Sequence, residues 1–312
     1  MKLKINVCIA FVLIFLSACK KEKEDATLSI KKPLNYLIEI NDFAKIATNP
    51  NVKIIDFRKP TLYNKEHIPN ALNIWRSDIE NKEYPYGGMM ATKKTLEQLF
   101  NQLGITNSDM LIVYDDNGMC DAARLWWVLQ NYDYTNIKLL NGGFSEWKKN
   151  DGETTSTTTQ ISASDFQFIE TPSMRYLISK EHVLQSLSKN TTVLDTRTAD
   201  EYSGKRQKRG AKKGGRIPGS NWIDWAQAIN YHGDKKMKTK KELDSIYSSV
   251  ISSKDDSIIV YCHSGVRSAH TTFVLTQLLG YKNVKNYDGS WTEWSYFNEY
   301  PFVQDSITVI KK

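Results

Sequence analysis

Cysteine is scarce in this chain, with four in 312 residues. Cys8 lies in an apolar leader and Cys19 ends it, so only Cys120 and Cys262 remain for a folded part. Two thiols without framework spacing exclude a disulfide scaffold. No C-x-x-C and no Cys/His cluster is present, which excludes the usual zinc sites. No metal and no cofactor is expected. His67, His182 and His232 show no ligand spacing and are assigned no role. The apolar run Ile5 to Leu16 is too short to span a bilayer comfortably. Acidic residues are outnumbered: the net charge is +7 with a pI near 9.0. Lys2 and Lys4 belong to the leader, and without them the balance is +5. No zinc-ligand cluster or RNP-like aromatic strand accompanies that charge, so nucleic acid is not an expected partner. A basic surface with some preference for small anions is. The length fits two ordinary domains, and the composition is that of a globular protein.

The N-terminus reads as an address. Lys2 and Lys4 form a positive start, the short apolar run follows, and Leu16-Ser17-Ala18-Cys19 resembles a bacterial lipobox. On that reading residues 1–18 are removed and Cys19 becomes a lipidated N-terminus. The other reading is a plain secretory leader cut nearby. Lys20 to Asp25 follows at once, a charged stretch with no fold-forming pattern, and favours a tether over residues 19–34. The expected location is the bacterial cell envelope, lipid-anchored, facing the periplasm or the exterior.

The remainder repeats itself. Asp56-Phe57-Arg58 and Tyr63 match Asp195-Thr196-Arg197 and Tyr202 at a shift of 139. Ile68-Pro69 matches Ile217-Pro218 at 149, the difference being a basic insertion, Lys205 to Gly214. Val113-Tyr114, Gly118, Gly142 and Trp147 match Val260-Tyr261, Gly265, Gly289 and Trp294 at 147. Such a period is far too long for a solenoid and indicates a duplicated domain. Strands are expected at Val52 to Phe57, Leu111 to Tyr114, Ile137 to Leu139, Thr192 to Thr196, Ser257 to Tyr261 and Val284 to Tyr287. Helices are expected at Leu96 to Leu103, Ala122 to Gln130 and Ala269 to Leu279. The alternation predicts two α/β domains, each a parallel sheet with helices on both faces. They span 35–150 and 176–312, joined by a Ser/Thr-rich linker, 151–175.

Chemistry concentrates where the strand ending at Tyr261 turns into a helix, at Cys262-His263-Ser264-Gly265-Val266-Arg267-Ser268. Unpaired N–H groups and the helix dipole favour an anion at such a turn. Arg267 adds a full charge, and these conditions favour the thiolate, which is the nucleophile. Four residues separate Cys262 from Arg267. Cysteine phosphatases place five there, closing a wider ring for phosphate, so the shorter loop suits a smaller guest. Aligning the repeats puts Asp115 opposite Cys262. An aspartate cannot carry a sulfane sulfur, so the first copy is expected to be catalytically silent. Cys120 is either a resolving thiol or a half-buried structural cysteine, and the second fits a helix start better.

The loop, with Asn283 to Trp294 after it, resembles the active domain of the tandem rhodanese (thiosulfate sulfurtransferase) family. The similarity runs from about Tyr36 to Phe302 and includes Asp56 to Asn70, Asp121 to Trp127 and Gly142 to Trp147. The resemblance implies a persulfide on Cys262, formed from a small anionic donor and passed to cyanide, a thiol or a protein. It implies that backbone N–H groups from His263 to Ser268, including those of Ser264, Gly265 and Val266, cradle the sulfur. Arg267 would stabilise the loop and meet the donor. Arg197 matches a family position near the cleft; its other reading is an ion pair with Asp195 or Glu201. Ser264-Gly265-Val266 is similar to mercaptopyruvate-type loops, whereas the positive charge favours thiosulfate. A non-catalytic persulfide carrier or redox-sensing module is the third reading. His263 is either an aid to a proton step or a partly exposed bystander. The basic insertion is either a solvated loop or a guide for anions.

Overall fold

A computed structural model describes residues 35–305. The first repeat supplies β1 (Leu37–Ile38), α1 (Ile40–Ala44), β2 (Val52–Asp56), α2 (Pro60–Tyr63), β3 (Leu72–Asn73), α3 (Lys93–Gln102), β4 (Met110–Tyr114), α4 (Cys120–Asn131), β5 (Ile137–Leu140) and α5 (Gly143–Lys149). The second supplies β6 (Leu177–Ile178), α6 (Lys180–Ser186), β7 (Thr192–Asp195), α7 (Ala199–Ser203), β8 (Asn221–Trp222), α8 (Lys240–Tyr247), β9 (Ser257–Tyr261), α9 (Val266–Phe273), β10 (Asn283–Tyr287) and α10 (Ser290–Tyr296).

The central strands are nearly continuous apolar runs, as strands covered on both faces must be. Successive residues point to opposite faces. Ile55, Leu111 and Val113 join one core with Leu96 and Phe100 of α3 and the apolar side chains of α4. Ile54, Ile112 and Tyr114 join another with Phe43, Tyr63, Phe144 and Trp147. The second domain divides likewise, with Ile258 and Val260 toward α8 and α9, and Ile259 and Tyr261 toward α6 and α10. Within the two sheets of the described residues the strands pair in parallel, in the orders β1-β5-β4-β2-β3 and β6-β10-β9-β7-β8. The two orders are the same once each strand is exchanged for its counterpart. Register repeats as well: Asp56 stands opposite Tyr114, and Asp195 opposite Tyr261.

The domains share a core. Every residue of α4 is buried, because the helix lies between its own sheet and α9. Trp126 and Phe273 meet edge to face at 5.0 Å. Residues 151–175 form no helix or strand, yet they are anchored. Phe166 is fully buried, its ring 5.0 Å from Phe100 and 4.8 Å from Phe168. The helix expected from Ala269 begins earlier, at Val266, and continues beyond Phe273 as a π-helical turn over Val274–Leu278. Thr272 and Thr276 each donate to the carbonyl four residues back, at 2.8 and 2.7 Å, which competes with the regular ladder.

Candidate active site

β9 ends at Tyr261 and α9 starts at Val266, so Cys262 sits at the carboxyl end of a central strand, where open α/β sheets bind ligands. Ser290, at the start of α10, ties the loop down. Its Oγ accepts the N–H groups of Cys262 and Gly265, both at 3.1 Å, while its own hydroxyl donates to the Tyr287 carbonyl. The Cys262 and His263 carbonyls are taken by the N–H groups of Trp291 and Thr292 at 3.0 and 2.9 Å. Gly265 takes φ +76, and a Cβ there would lie 2.7 Å from the Asp288 carbonyl and 2.8 Å from Arg124 Nη1. No larger residue fits without moving that buried ion pair.

Cys262 is 1% exposed. Burial pushes its thiol pKa up. The charge of Arg267, the Ser268 hydroxyl at 3.4 Å, and the N–H groups of Ser268 and Ser264 pull it down harder. The net direction is below the ordinary thiol value, so the site favours a thiolate. Arg267 acts by charge rather than by its fork. Both terminal nitrogens are held by Glu201 of α7, at 2.7 and 2.9 Å. Burial pushes Glu201 up, but the bidentate pair outweighs it and holds the carboxyl at about 2. Arg267→Ala is therefore expected to raise the thiol pKa toward its ordinary value. The pH profile of iodoacetamide alkylation should move to higher pH; an unmoved profile would leave the helix terminus and N–H groups alone responsible.

The first domain's loop shows what such a cradle can hold. Asp115 occupies the Cys262 position after β4. One carboxylate oxygen accepts the N–H groups of Asn117 and Met119, both at 2.9 Å; the other accepts those of Asp121 and Ala122, at 2.8 and 2.9 Å. An aspartate oxygen lies one bond beyond the atom that matches Sγ, where the outer sulfur of a persulfide would sit. Burial and the Asp121 carboxylate push Asp115 up to about 7, against the pull of those N–H groups.

The roof over Cys262 comes from the other domain. Gly88, at φ +104, packs so close to Ser264 that a Cβ would stand 2.6 Å from the serine Cβ. Around it the Tyr86 hydroxyl donates to Glu293 at 2.7 Å, Thr292 donates to the Gly87 carbonyl, and the Met90 N–H donates to Asp288. Arg124, 3% exposed, pairs with Asp288 at 2.5 Å and donates to the Gly88 carbonyl. The second domain returns the arrangement: Lys235 Nζ donates to the Asp116 carbonyl, and the Met237 N–H to Asn141. A cavity of about 240 Å³ remains between roof and loop.

Of the loop residues singled out from sequence, His263, Ser264 and Val266 line this cavity, whereas Gly265, Arg267 and Ser268 lie behind them. His263 is buried rather than partly exposed. Its Nε2 lies 3.0 Å from the Arg209 carbonyl, and burial with the neighbouring Lys208 pushes its pKa down to about 4. Arg197 is corrected. It does not line the cavity but lies 2% exposed, bound bidentately to Asp195, donating to the Gly215 carbonyl and stacked 4.8 Å from Trp291. Arg58 makes the same pair with Asp56 in the first domain, so the position is structural in both copies. Sequence reasoning missed Arg76, Glu80, Gly88 and Arg124, which reach the cavity from the first domain, and Arg209 from the insertion. Arg209 lay in a noted charge run and Arg124 in the segment Asp121 to Trp127; Arg76, Glu80 and Gly88 carried no local signal. Cys19 lies outside the described residues. Cys120 is fully buried rather than half-buried; burial and Asp121 push its thiol well up.

Two like α/β domains, one ending its central strand in a cysteine loop and the other in an aspartate loop, define a duplicated protein with one thiolate site. The rhodanese-like domain matches at residues 39–150 and again at 179–296, and the chain belongs to that family as a tandem member. A thiosulfate sulfurtransferase of Corynebacterium glutamicum is 32% identical over 256 residues, 79% of this chain and 83% of that one. A sulfur carrier protein of Thermus thermophilus is 32% identical over 260 residues, 79% and 88% respectively. SseA from Escherichia coli, solved for the rhodanese fold and mechanism of 3-mercaptopyruvate sulfotransferases, superposes with a TM-score of 0.73 at 26% identity, covering 83% of this chain and 99% of that one. Wild-type EanB superposes at 0.77 with 21% identity, covering 88% and 70%, a likeness of fold alone.

Proposed function

We propose that this rhodanese-family chain is a sulfurtransferase that moves a sulfane sulfur from thiosulfate to cyanide or a thiol through a persulfide on Cys262. The observation that carries this reading is the thiol itself, buried, shifted toward the thiolate and set in a loop whose His263, Ser264 and Val266 line a small cavity. The Cys262 thiolate attacks the outer sulfur of thiosulfate. The sulfur–sulfur bond of the donor breaks and sulfite leaves with the electron pair. The persulfide anion is held by loop N–H groups, those of Ser264 and Ser268 among them, that are the counterparts of the ones Asp115 uses in the other domain. An acceptor nucleophile then bonds to the outer sulfur, and Sγ departs as the thiolate.

With Arg197 withdrawn and both terminal nitrogens of Arg267 occupied by Glu201, direct contact with a dianionic donor falls to Arg209 and Lys208. Arg209 has no carboxylate within 4.0 Å among the described residues, and Lys208 is near enough to interact with Cys262 and Arg267. Each such contact is worth on the order of 1 kcal/mol or less when exposed. A preference for thiosulfate over 3-mercaptopyruvate is therefore expected to be moderate and to shrink as salt rises. The measurement is kcat/KM for both donors at low and high ionic strength. A preference for mercaptopyruvate at every salt would promote that alternative, which Ser264-Gly265-Val266 favours. A stable persulfide that forms but never turns over would instead favour the carrier reading.

On the same reading Cys19 is lipidated and holds the enzyme at a membrane surface of the bacterial envelope, facing the periplasm or exterior. Leu16-Ser17-Ala18-Cys19 supports it. Wild type is expected in the detergent phase on partitioning and Cys19→Ala in the aqueous phase. Wild type in the aqueous phase would remove the anchor.

A further inference from the structure

The basic insertion exists in one domain only, and the two domains differ where it lies. In the second domain it covers four side chains. His263 Nε2 lies 3.0 Å from the Arg209 carbonyl, and a Cβ on Gly210 would stand 3.6 Å from Thr292. The Lys212 N–H donates to Ser295 Oγ at 3.1 Å, and Trp291 Nε1 donates to the Lys213 carbonyl at 2.9 Å. At the shift of 147 the counterparts of His263, Trp291, Thr292 and Ser295 are Asp116, Phe144, Ser145 and Lys148. No insertion covers these four. With Arg58, Lys65 and Glu66 they line a cavity of about 390 Å³.

Arg58 is the buried cation of this wall, its side chain 4% exposed. Nε and Nη2 are spent on Asp56 and the Glu66 carbonyl, and the guanidinium lies 3.8 Å from the centre of the Phe144 ring. Its plane is therefore fixed before anything binds. Nη1 makes no hydrogen bond among the described residues, yet it is not sealed from solvent. Lys148 is held by Glu66 at 2.9 Å, whereas Lys65 has no carboxylate within 4.0 Å and the Ser145 hydroxyl has no partner among the described residues. Asp116 is the opposing charge of the wall. Burial pushes its pKa up, and Arg58 and Lys235 already act on it in the other direction. We propose that this cavity is a second anion site, separate from the catalytic one, taking a small oxyanion of the sulfate, sulfite or phosphate class on Arg58 Nη1, Lys65 and Ser145. In the second domain the chain's own insertion fills the corresponding place. The first domain keeps the arginine and leaves one of its nitrogens to a ligand.

Sulfate is titrated calorimetrically into the full-length protein, with ionic strength held constant by chloride so that screening does not change. Lys65→Glu is expected to weaken binding about tenfold, as reversing one charge beside an anion predicts. Asp116→Asn is expected to tighten it severalfold, a gain that a merely structural residue would not give. Lys65 is exposed and the Asp116 carboxylate accepts no hydrogen bond from another residue among the described ones, so neither change threatens the fold. Arg209→Gln, on the wall of the catalytic cavity, is expected to leave this affinity within about twofold. Sulfite and phosphate should show the same dependence on the variants. Sulfate that binds no better than chloride would overturn the proposal. So would affinity that ignores Lys65→Glu and Asp116→Asn, or that is lost in Arg209→Gln, which would put the anion over the cysteine loop instead.

Discussion

Cys262→Ser is expected to abolish sulfur transfer, by at least ~10⁴-fold as nucleophile removal does elsewhere, with its thermal midpoint nearly unchanged. The substitution removes little volume from a site that is already 99% buried and polar-lined. A hydroxyl in the same cradle stays protonated, because the Arg267 charge and loop N–H groups that tip a thiol cannot ionise an alcohol. Thiocyanate production and intact mass after thiosulfate are the readouts, and both should be blank. Cys120→Ser serves as the contrast. Its thiol is buried and pushed well up, so it is neutral at working pH and should matter little. If Cys120→Ser were as inactive as Cys262→Ser, a two-thiol redox cycle would replace the persulfide.

Arg197→Ala is expected to cost about 3–5 kcal/mol of stability, because it strands the buried Asp195 carboxylate without its cation. Asp195 is 0% exposed and takes both its strong contacts from that guanidinium. Urea denaturation should show the loss. The enzyme that remains folded should keep its KM for thiosulfate within about twofold. A tenfold rise in KM with stability intact would return Arg197 to the cleft. Arg58→Ala should destabilise through the same mechanism in the first domain, since Asp56 is equally buried.

What was legible in the residues themselves was local or repeated. Continuous apolar runs mark central strands wherever both faces are covered, and β2, β4 and β9 lie within a residue or two of expectation. The duplication was legible because two copies of one topology need the same turns, aspartates and tryptophans at matching places. The cysteine loop was legible because the strand end, the small residues and the arginine are contiguous. The aspartate that stands in the first copy where the second has its cysteine was likewise legible from one aligned position, Asp115.

Partners distant in sequence were not legible. Arg267 is bound by a glutamate 66 positions away, and Arg124 by an aspartate 164 away. Nothing in either neighbourhood says which carboxylate packing will bring up. Arg197 was ambiguous for the same reason: its sequence fitted a cleft residue and an ion pair equally, and burial between β7 and Trp291 decided it. The linker looked featureless because Ser and Thr dominate it, yet Phe166 and Phe168 hold it to the first domain. The roof of the site, Tyr86 to Met90, carries no motif at all. It acquires its role only because α4 and α9 pack face to face, which swings each domain's loop over the other's cradle. Sequence by itself determined the elements, the duplication and the sulfur; tertiary packing decided which charges surround that sulfur, because electrostatic partnership depends on distance in space.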